Sequence, residues 1–208
     1  MTIQMMGACD FGVAALFTRK DSVYKTLGVD CWDIQRDARN WPGGSPVIAH
    51  PPCRAWGGLS HMAKPRPDEK DLALFAIAMV RKYGGVLEHP RASRLFPEYL
   101  PLPGTKDEYG GYSICVDQFW WGHKCRKRTL LYIVGCAEKD LPPVPLRFDA
   151  VAYIIGTSGR RRDGTRYTKK KEVTKREREA TPVALARWLI DAASKCSGRG
   201  SHFHKNCV

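Results

Sequence analysis

Residues 46–53 read Pro-Val-Ile-Ala-His-Pro-Pro-Cys, and residues 86–90 read Val-Leu-Glu-His-Pro. Each is a short apolar run cut off by proline, which lacks the N–H that a central ladder needs and so ends a strand where it stands. Between them, residues 67–83 form the clearest helix. Leu72, Phe75, Ala76, Met79 and Val80 recur at steps of three and four, Asp68 and Glu69 stand in the first turn, and Gly84-Gly85 follows. Strand, helix and strand in that order make a βαβ unit with parallel strands, so the two proline-stopped ends share one sheet edge.

Working outward, Gly12–Thr18 (GVAALFT) and Val29–Ile34 read as two further short strands, with Asp21 capping a helix over 22–27. Leu130–Gly135 (LLYIVG) follows Phe119-Trp120-Trp121 and reads as a strand buried on both faces. The expectation is an α/β, Rossmann-like, mostly parallel sheet over residues 1–135, with its ligand crevice at the C-terminal ends of the strands. Residues 136–180 read as a short basic arm: proline-rich over 140–146, with a strand near 151–155, then dense in Lys and Arg over 160–178. Thr181 and Pro182 supply an N-cap and a first-turn proline for a closing helix over 181–195, burying Val183, Ala186, Leu189 and Ile190. Residues 196–208 read as a tail.

Composition narrows the function. With 208 residues and 43% hydrophobic side chains, the chain is one globular domain with appendages, neither disordered nor collagen-like. Thirty-four Lys and Arg against 21 Asp and Glu leave a net charge of +13, which favours an anionic partner, DNA first. No run approaches the roughly 18 apolar residues of a membrane span, and no secretory leader opens the chain, so a cytoplasmic protein with no membrane partner is expected. The eight cysteines are scattered without a Cys-x-x-Cys pair, as in a reducing compartment. Cys196, His202, His204 and Cys207 match no standard zinc spacing, and no metal site is expected.

Three stretches carry chemistry. Cys53 follows two prolines at the mouth of the expected sheet, with Arg54 adjacent and His50 and His61 close by, the cationic company a reactive thiol needs. Glu88 ends an apolar strand on the same edge. Residues 117–129 combine the aromatics Phe119, Trp120 and Trp121 with the basic Cys-Arg-Lys-Arg-Thr stretch that holds Arg126 and Arg128, directly ahead of the LLYIVG strand.

In that order, HPPCRAWG, VLEHP and CRKRT-LLYIVG resemble the DNA cytosine-5 methyltransferase family. The resemblance spans about residues 14–135, with an echo in 181–193, and is that of a compact, bacteriophage-type or mobile-element member working in the bacterial cytoplasm. It implies a methyltransferase-like sheet truncated at its N-terminus, since the family's Phe-x-Gly-x-Gly cofactor loop has no counterpart before His50. It makes Cys53 the nucleophile that adds to carbon 6 of a flipped cytosine, Glu88 the acid at ring N3, and Arg126 or Arg128 the group holding the base carbonyl or the acid. Asp33 and Ile34, in the place of the family's Gly-Asp-Ile segment, and Pro51 would contact the cofactor S-adenosylmethionine. Phosphate and base contacts would come from Arg54, Trp56, Arg160, Arg161, Arg162, Arg166, Lys169, Lys170 and Lys171, with Trp120 and Trp121 as further stacking platforms.

Two other readings stay open: an enzyme that modifies pyrimidine carbon 5 without S-adenosylmethionine, on DNA or a nucleotide, and an inactive DNA-binding or anti-restriction protein. Whether a homo-oligomer completes the cofactor pocket is likewise open.

Overall fold

The computed structural model describes residues 12–58, 60–156, 159, 161–165 and 168–198. In chain order the first half runs β1 (Ala14–Thr18), α1 (Val23–Thr26), β2 (Asp30–Asp33), β3 (Val47–Ala49), α2 (Glu69–Tyr83) and β4 (Gly85–Pro90). The second half adds α3 (Leu95–Tyr99), β5 (Tyr112–Asp117), β6 (Arg128–Val134), β7 (Tyr153–Ile154), β8 (Lys171–Glu172), α4 (Lys175–Glu179) and α5 (Val183–Ser194). Six strands form one sheet in the order β2-β1-β3-β4-β6-β5. β1 through β4 are mutually parallel, and β6 runs antiparallel to both of its neighbours. The α/β, mostly parallel expectation holds at that level.

Alternation along the strands divides the core in two. Ala14 and Leu16 of β1, Val47 and Ala49 of β3 and Leu87 of β4 pack on the α2 side with Ala73, Ala76, Ile77 and Val80. Ala15, Ile48 and Val86, their neighbours in sequence, pack on the α5 side with Leu185, Ala186, Leu189, Ile190 and Ala193. A parallel sheet covered on both faces needs strands that are apolar throughout, and β3 is wholly buried. α5 therefore belongs to the same core as residues 14–135. Among the described residues, no other helix of comparable length packs on the sheet face beneath it.

Several local expectations shift by a residue. Ser22, not Asp21, caps α1, its hydroxyl accepting from the Tyr24 N–H at 3.4 Å. α5 starts at Val183 with Pro182 as cap residue, so Thr181 lies outside the helix and Val183 is exposed. β5 and α3 were not foreseen. The sequence after Cys196 does not leave the fold at once: Ser197 donates its N–H to Gly135 at 3.0 Å.

Gly84 and Gly85 have φ of +78° and +122°, and a Cβ on Gly85 would lie 2.0 Å from the Val47 carbonyl oxygen. This close approach lets the chain turn from α2 into a strand already in register with β3, Val47 pairing with Gly85. Outside the sheet, β7 and β8 pair in parallel, and the turn at 161–165 closes through Arg161 N–H to Thr165 O at 2.7 Å. None of the described helices is long and apolar enough to cross a membrane.

The shared core is testable at Leu189, which is fully buried under the sheet. Leu189→Ala is expected to cost about 2–5 kcal/mol in urea denaturation. A cost below about 1 kcal/mol would mean that α5 does not seal this face.

Candidate active site

Register builds the site. Ala49 pairs with Leu87 across β3 and β4, so the next residues, His50 and Glu88, stand side by side at the C-terminal edge. Both follow residues of the α5-side core, Ile48 and Val86 being two positions earlier on their strands, and Tyr24 of α1 closes in from that side. His50 Nδ1 lies 3.0 Å from Glu88 Oε2, and His50 Nε2 lies 2.9 Å from the Tyr24 hydroxyl. Gln118, at the turn after β5, donates from Nε2 to Glu88 Oε1 and to Thr129 Oγ1, both at 3.0 Å. Thr129 in turn donates to the Lys127 carbonyl at 3.2 Å. A chain of polar groups thus runs from α1 through β3, β4 and the β5–β6 connection to the first turn of β6.

Burial alone would push the Glu88 carboxyl upward. The hydrogen bond from His50, with the positive charge of Lys127 next in weight, reverses this and holds it at about 2. Glu88 is therefore a carboxylate at neutral pH. Its neighbour His89 faces the other way and is fully buried, and burial drives it down to about 4 against the pull of Glu88. It is a neutral ring, and neither nitrogen has a hydrogen-bond partner of normal geometry among the described residues. Tyr24 is 1% exposed, and burial together with the Glu88 charge raises its hydroxyl well above the ordinary range, so it stays a neutral phenol.

Cys53 leaves the same edge three residues after His50. Its carbonyl accepts from the N–H groups of Trp56 at 3.1 Å and Gly57 at 2.8 Å, which folds residues 53–57 into a turn and leaves Cys53 exposed. Although it meets solvent, the surrounding protein pushes its thiol up, and Glu88 adds to the effect while Lys127 opposes it. The charges of Glu88 and Lys127 thus act on both members of the pair.

The other residues singled out in the sequence divide. Arg54 is committed to Glu69, with Nη2 at 2.6 Å and Nε at 3.0 Å from one carboxylate oxygen; Glu69 is 2% exposed and needs that partner. Trp56 is not available to stack on a base: it is 1% exposed, and its Nε1 donates to the Lys70 carbonyl at 3.1 Å. Trp121 is likewise buried, edge-on to Trp188, and Trp120 packs half-buried against the same core. Arg126 turns away from Glu88, donating to the carbonyls of Arg147 and Asp149 at 3.3 and 3.2 Å and lying 4.5 Å over the Phe119 ring. Arg128 is exposed at the start of β6, opposite Asp117. Lys127, between the two arginines, is the cation that acts on Glu88. Arg161, Arg162, Lys169, Lys170 and Lys171 are exposed on the basic arm, while Arg160 and Arg166 lie outside the described residues.

The segment expected to hold S-adenosylmethionine does not fit it. Asp33 is 4% exposed, one of its oxygens accepting from Lys25 Nζ at 2.6 Å and the other from the N–H groups of Gln35 and Arg36. The hydrogen bond from Lys25 holds that carboxyl below the usual range. The β1–α1 connection, Arg19-Lys20-Asp21-Ser22, contains no glycine that would let the backbone approach a ligand. Pro51 is buried at the end of β3, and Ile34 is exposed.

One contributor was missed in the sequence, although Thr174-Lys175-Arg176-Glu177 has the spacing of a helix-start cap. α4 sits against the edge of the sheet, with Arg19 bonded to Glu179 at 2.9 Å, Arg176 paired with Asp21 at 3.4 Å and Lys124 paired with Glu177. Thr174 and Glu177 form a reciprocal cap at its start. This brings the charge of Glu179 within reach of Cys53 and Arg54.

Because its folded pKa is lowered, Glu88 contributes stability above the ordinary value of 4.5 that is lost as pH falls towards about 2. His50→Leu removes its main partner and strands a buried carboxylate, which is expected to cost about 3–5 kcal/mol at pH 7. At pH 3 the stranded group takes up a proton and the cost should shrink. Urea denaturation of both proteins at the two pH values checks this. An equal cost at both would show that the charge of Glu88 is not what His50 supports.

The chain matches no protein-family model, no curated protein and no solved structure, so its reading rests on these side chains and where the sheet puts them.

Proposed function

We propose that the chain is a pyrimidine-modifying enzyme acting on cytosine in DNA, in the manner of the cytosine-5 methyltransferase family whose motifs it resembles. One observation carries the reading: an exposed Cys53 and a partly buried, ionised Glu88 leave neighbouring parallel strands at the same edge, and the charge of one acts on the other. A nucleophile and an acid–base group paired in this way suit addition to a pyrimidine ring. The Cys53 sulfur bonds to carbon 6 and its proton leaves to solvent, while ring N3 gains a proton by way of Glu88, so carbon 5 becomes enamine-like. When carbon 5 has taken up an electrophile, its original hydrogen leaves as a proton to water, Cys53 departs as thiolate, and N3 gives its proton back by way of Glu88, which restores the neutral ring. With a proton from water as the electrophile, the net result is exchange of the carbon 5 hydrogen.

A DNA partner is supported by the net charge of +13 and by the exposed cations at Arg128, Arg162, Lys169, Lys170 and Lys171. The committed Asp33 and the glycine-free β1–α1 connection favour a second reading, in which the electrophile is not S-adenosylmethionine.

The test is mass spectrometry after incubation with an oligonucleotide carrying 5-fluorocytosine, with and without S-adenosylmethionine. Fluorine at carbon 5 cannot leave as a proton, so the adduct is trapped once carbon 5 has also taken up an electrophile other than a proton. An adduct on Cys53, absent in Cys53→Ser, is expected. Dependence on S-adenosylmethionine would make the protein a methyltransferase, and formation without it would select the second reading. Salt-sensitive binding with no adduct would reject both in favour of a DNA-binding protein.

A further inference from the structure

His50 is not used in the addition chemistry above, yet both of its ring nitrogens are engaged at the edge. It bonds Glu88 through Nδ1 and Tyr24 through Nε2, and it is mostly but not wholly buried, with 15% of its side chain exposed. A carboxylate held in the ionised form has no proton to give to ring N3. Something beside it must supply one.

We propose that His50 is a positioning residue that stores a proton and passes it to Glu88, with the Tyr24 hydroxyl as a partner that serves every protonation state of the ring. This rests on the reading of Cys53 and Glu88 given above.

With protons on both nitrogens, the ring donates Nδ1–H to Glu88 Oε2 and Nε2–H to the Tyr24 oxygen. When the Nδ1–H bond breaks and an O–H bond forms on Glu88, the imidazolium–carboxylate pair becomes a neutral ring beside a neutral acid. No charge is left unbalanced, and the ring still donates to Tyr24. Glu88 can then place its proton on ring N3. A neutral ring carrying its proton on Nδ1 is accommodated as well, because the Tyr24 hydroxyl rotates and donates to Nε2. Tyr24 never has to ionise. The partly exposed edge of His50 lets water replace the proton.

The titratable groups around the pair come from every neighbouring element: Tyr24 on α1, Cys31 on β2, His89 on β4, Cys53 after β3 and Lys127 before β6. Of these, Tyr24 alone is hydrogen-bonded to His50 besides Glu88. Gln118 braces the other oxygen of Glu88, so Oε2 is the oxygen that faces the ring.

Two measurements test this, and their failures are distinguishable. The first is the rate of Cys53 adduct formation on the 5-fluorocytosine oligonucleotide over pH 5–8, in wild type, His50→Gln, His50→Ala and Tyr24→Phe. Glutamine can bond both neighbours but stores no proton. His50→Gln is therefore expected to be slowed at least tenfold, as severely as His50→Ala, and to lose the pH dependence of the wild type. Tyr24→Phe should be slowed less. A His50→Gln protein as fast as wild type, with an unchanged pH profile, would show that the ring is a structural brace only and overturn the proposal.

The second is the ¹⁵N spectrum of the His50 ring in the free protein, which needs no substrate. The expectation is an Nδ1 proton shared with Glu88 Oε2, seen in the ring-nitrogen shifts and lost in Glu88→Gln. A ring whose nitrogens are indifferent to Glu88→Gln overturns the proposal whatever the adduct shows. A ring that behaves as expected in a protein forming no adduct leaves the proton store standing and rejects the addition chemistry instead.

Discussion

The hydrogen-bonded pairing of His50 with Glu88 is the interaction on which the functional edge depends. Glu88 sits where a charge has little water to lean on, and burial by itself would neutralise it. It stays ionised because β3 and β4 are parallel and in a register that delivers an imidazole to one oxygen, while the β5–β6 connection delivers an amide to the other. That register depends in turn on Gly84 and Gly85, which let β4 begin against the Val47 carbonyl with no side chain between. The glycine pair lies at the start of the strand that carries Glu88, and the ladder transmits its position.

Much of this was legible because the signals are local. Proline after PVIA and VLE, glycine after residue 83 and the helical spacing between them act within a few residues, and together they imply a parallel unit with Cys53 and Glu88 at one edge. What escaped is non-local. β5 lies at the edge of the sheet and pairs with β6 by antiparallel bonds that the sequence of either strand does not announce. The partners of His50 lie 26 and 38 residues away in the chain, and Gln118 lies 30 from Glu88. No spacing rule connects them. Trp56 misleads for a different reason, since an indole beside a nucleophile suits a stacking platform as well as a core, and only its hydrogen bond to the Lys70 carbonyl decides between them.

Cations are divided between structural and chemical duties in a way that net charge conceals. Arg54 neutralises the buried Glu69, Lys25 the buried Asp33, and Arg126 gathers the carbonyls of the 147–149 segment. Arg54 and Arg126 are ligand contacts in the sequence reading and Lys25 is not, yet all three are already bonded within the fold. Lys127 differs. Half-buried between two arginines of more familiar promise, it lowers both Glu88 and Cys53. Position relative to the sheet edge, not residue type, selects it.

The electrostatics of the edge also link its two reactive groups. The charge of Glu88 helps to push the Cys53 thiol up, so an ionised Glu88 opposes the thiolate that addition requires. Any event that neutralises Glu88, whether a proton from His50 or hydrogen bonds from a base, removes that part of the opposition; burial still holds the thiol up, and Lys127 is the charge left to work against it. With Glu88 ionised the thiol is protonated, and an arrangement that lowered it permanently would be reactive at all times. In the proposed chemistry the reactivity of Cys53 would be conditional on the state of a carboxylate one strand away, and His50, hydrogen-bonded to that carboxylate, is the residue that bears on its state most directly.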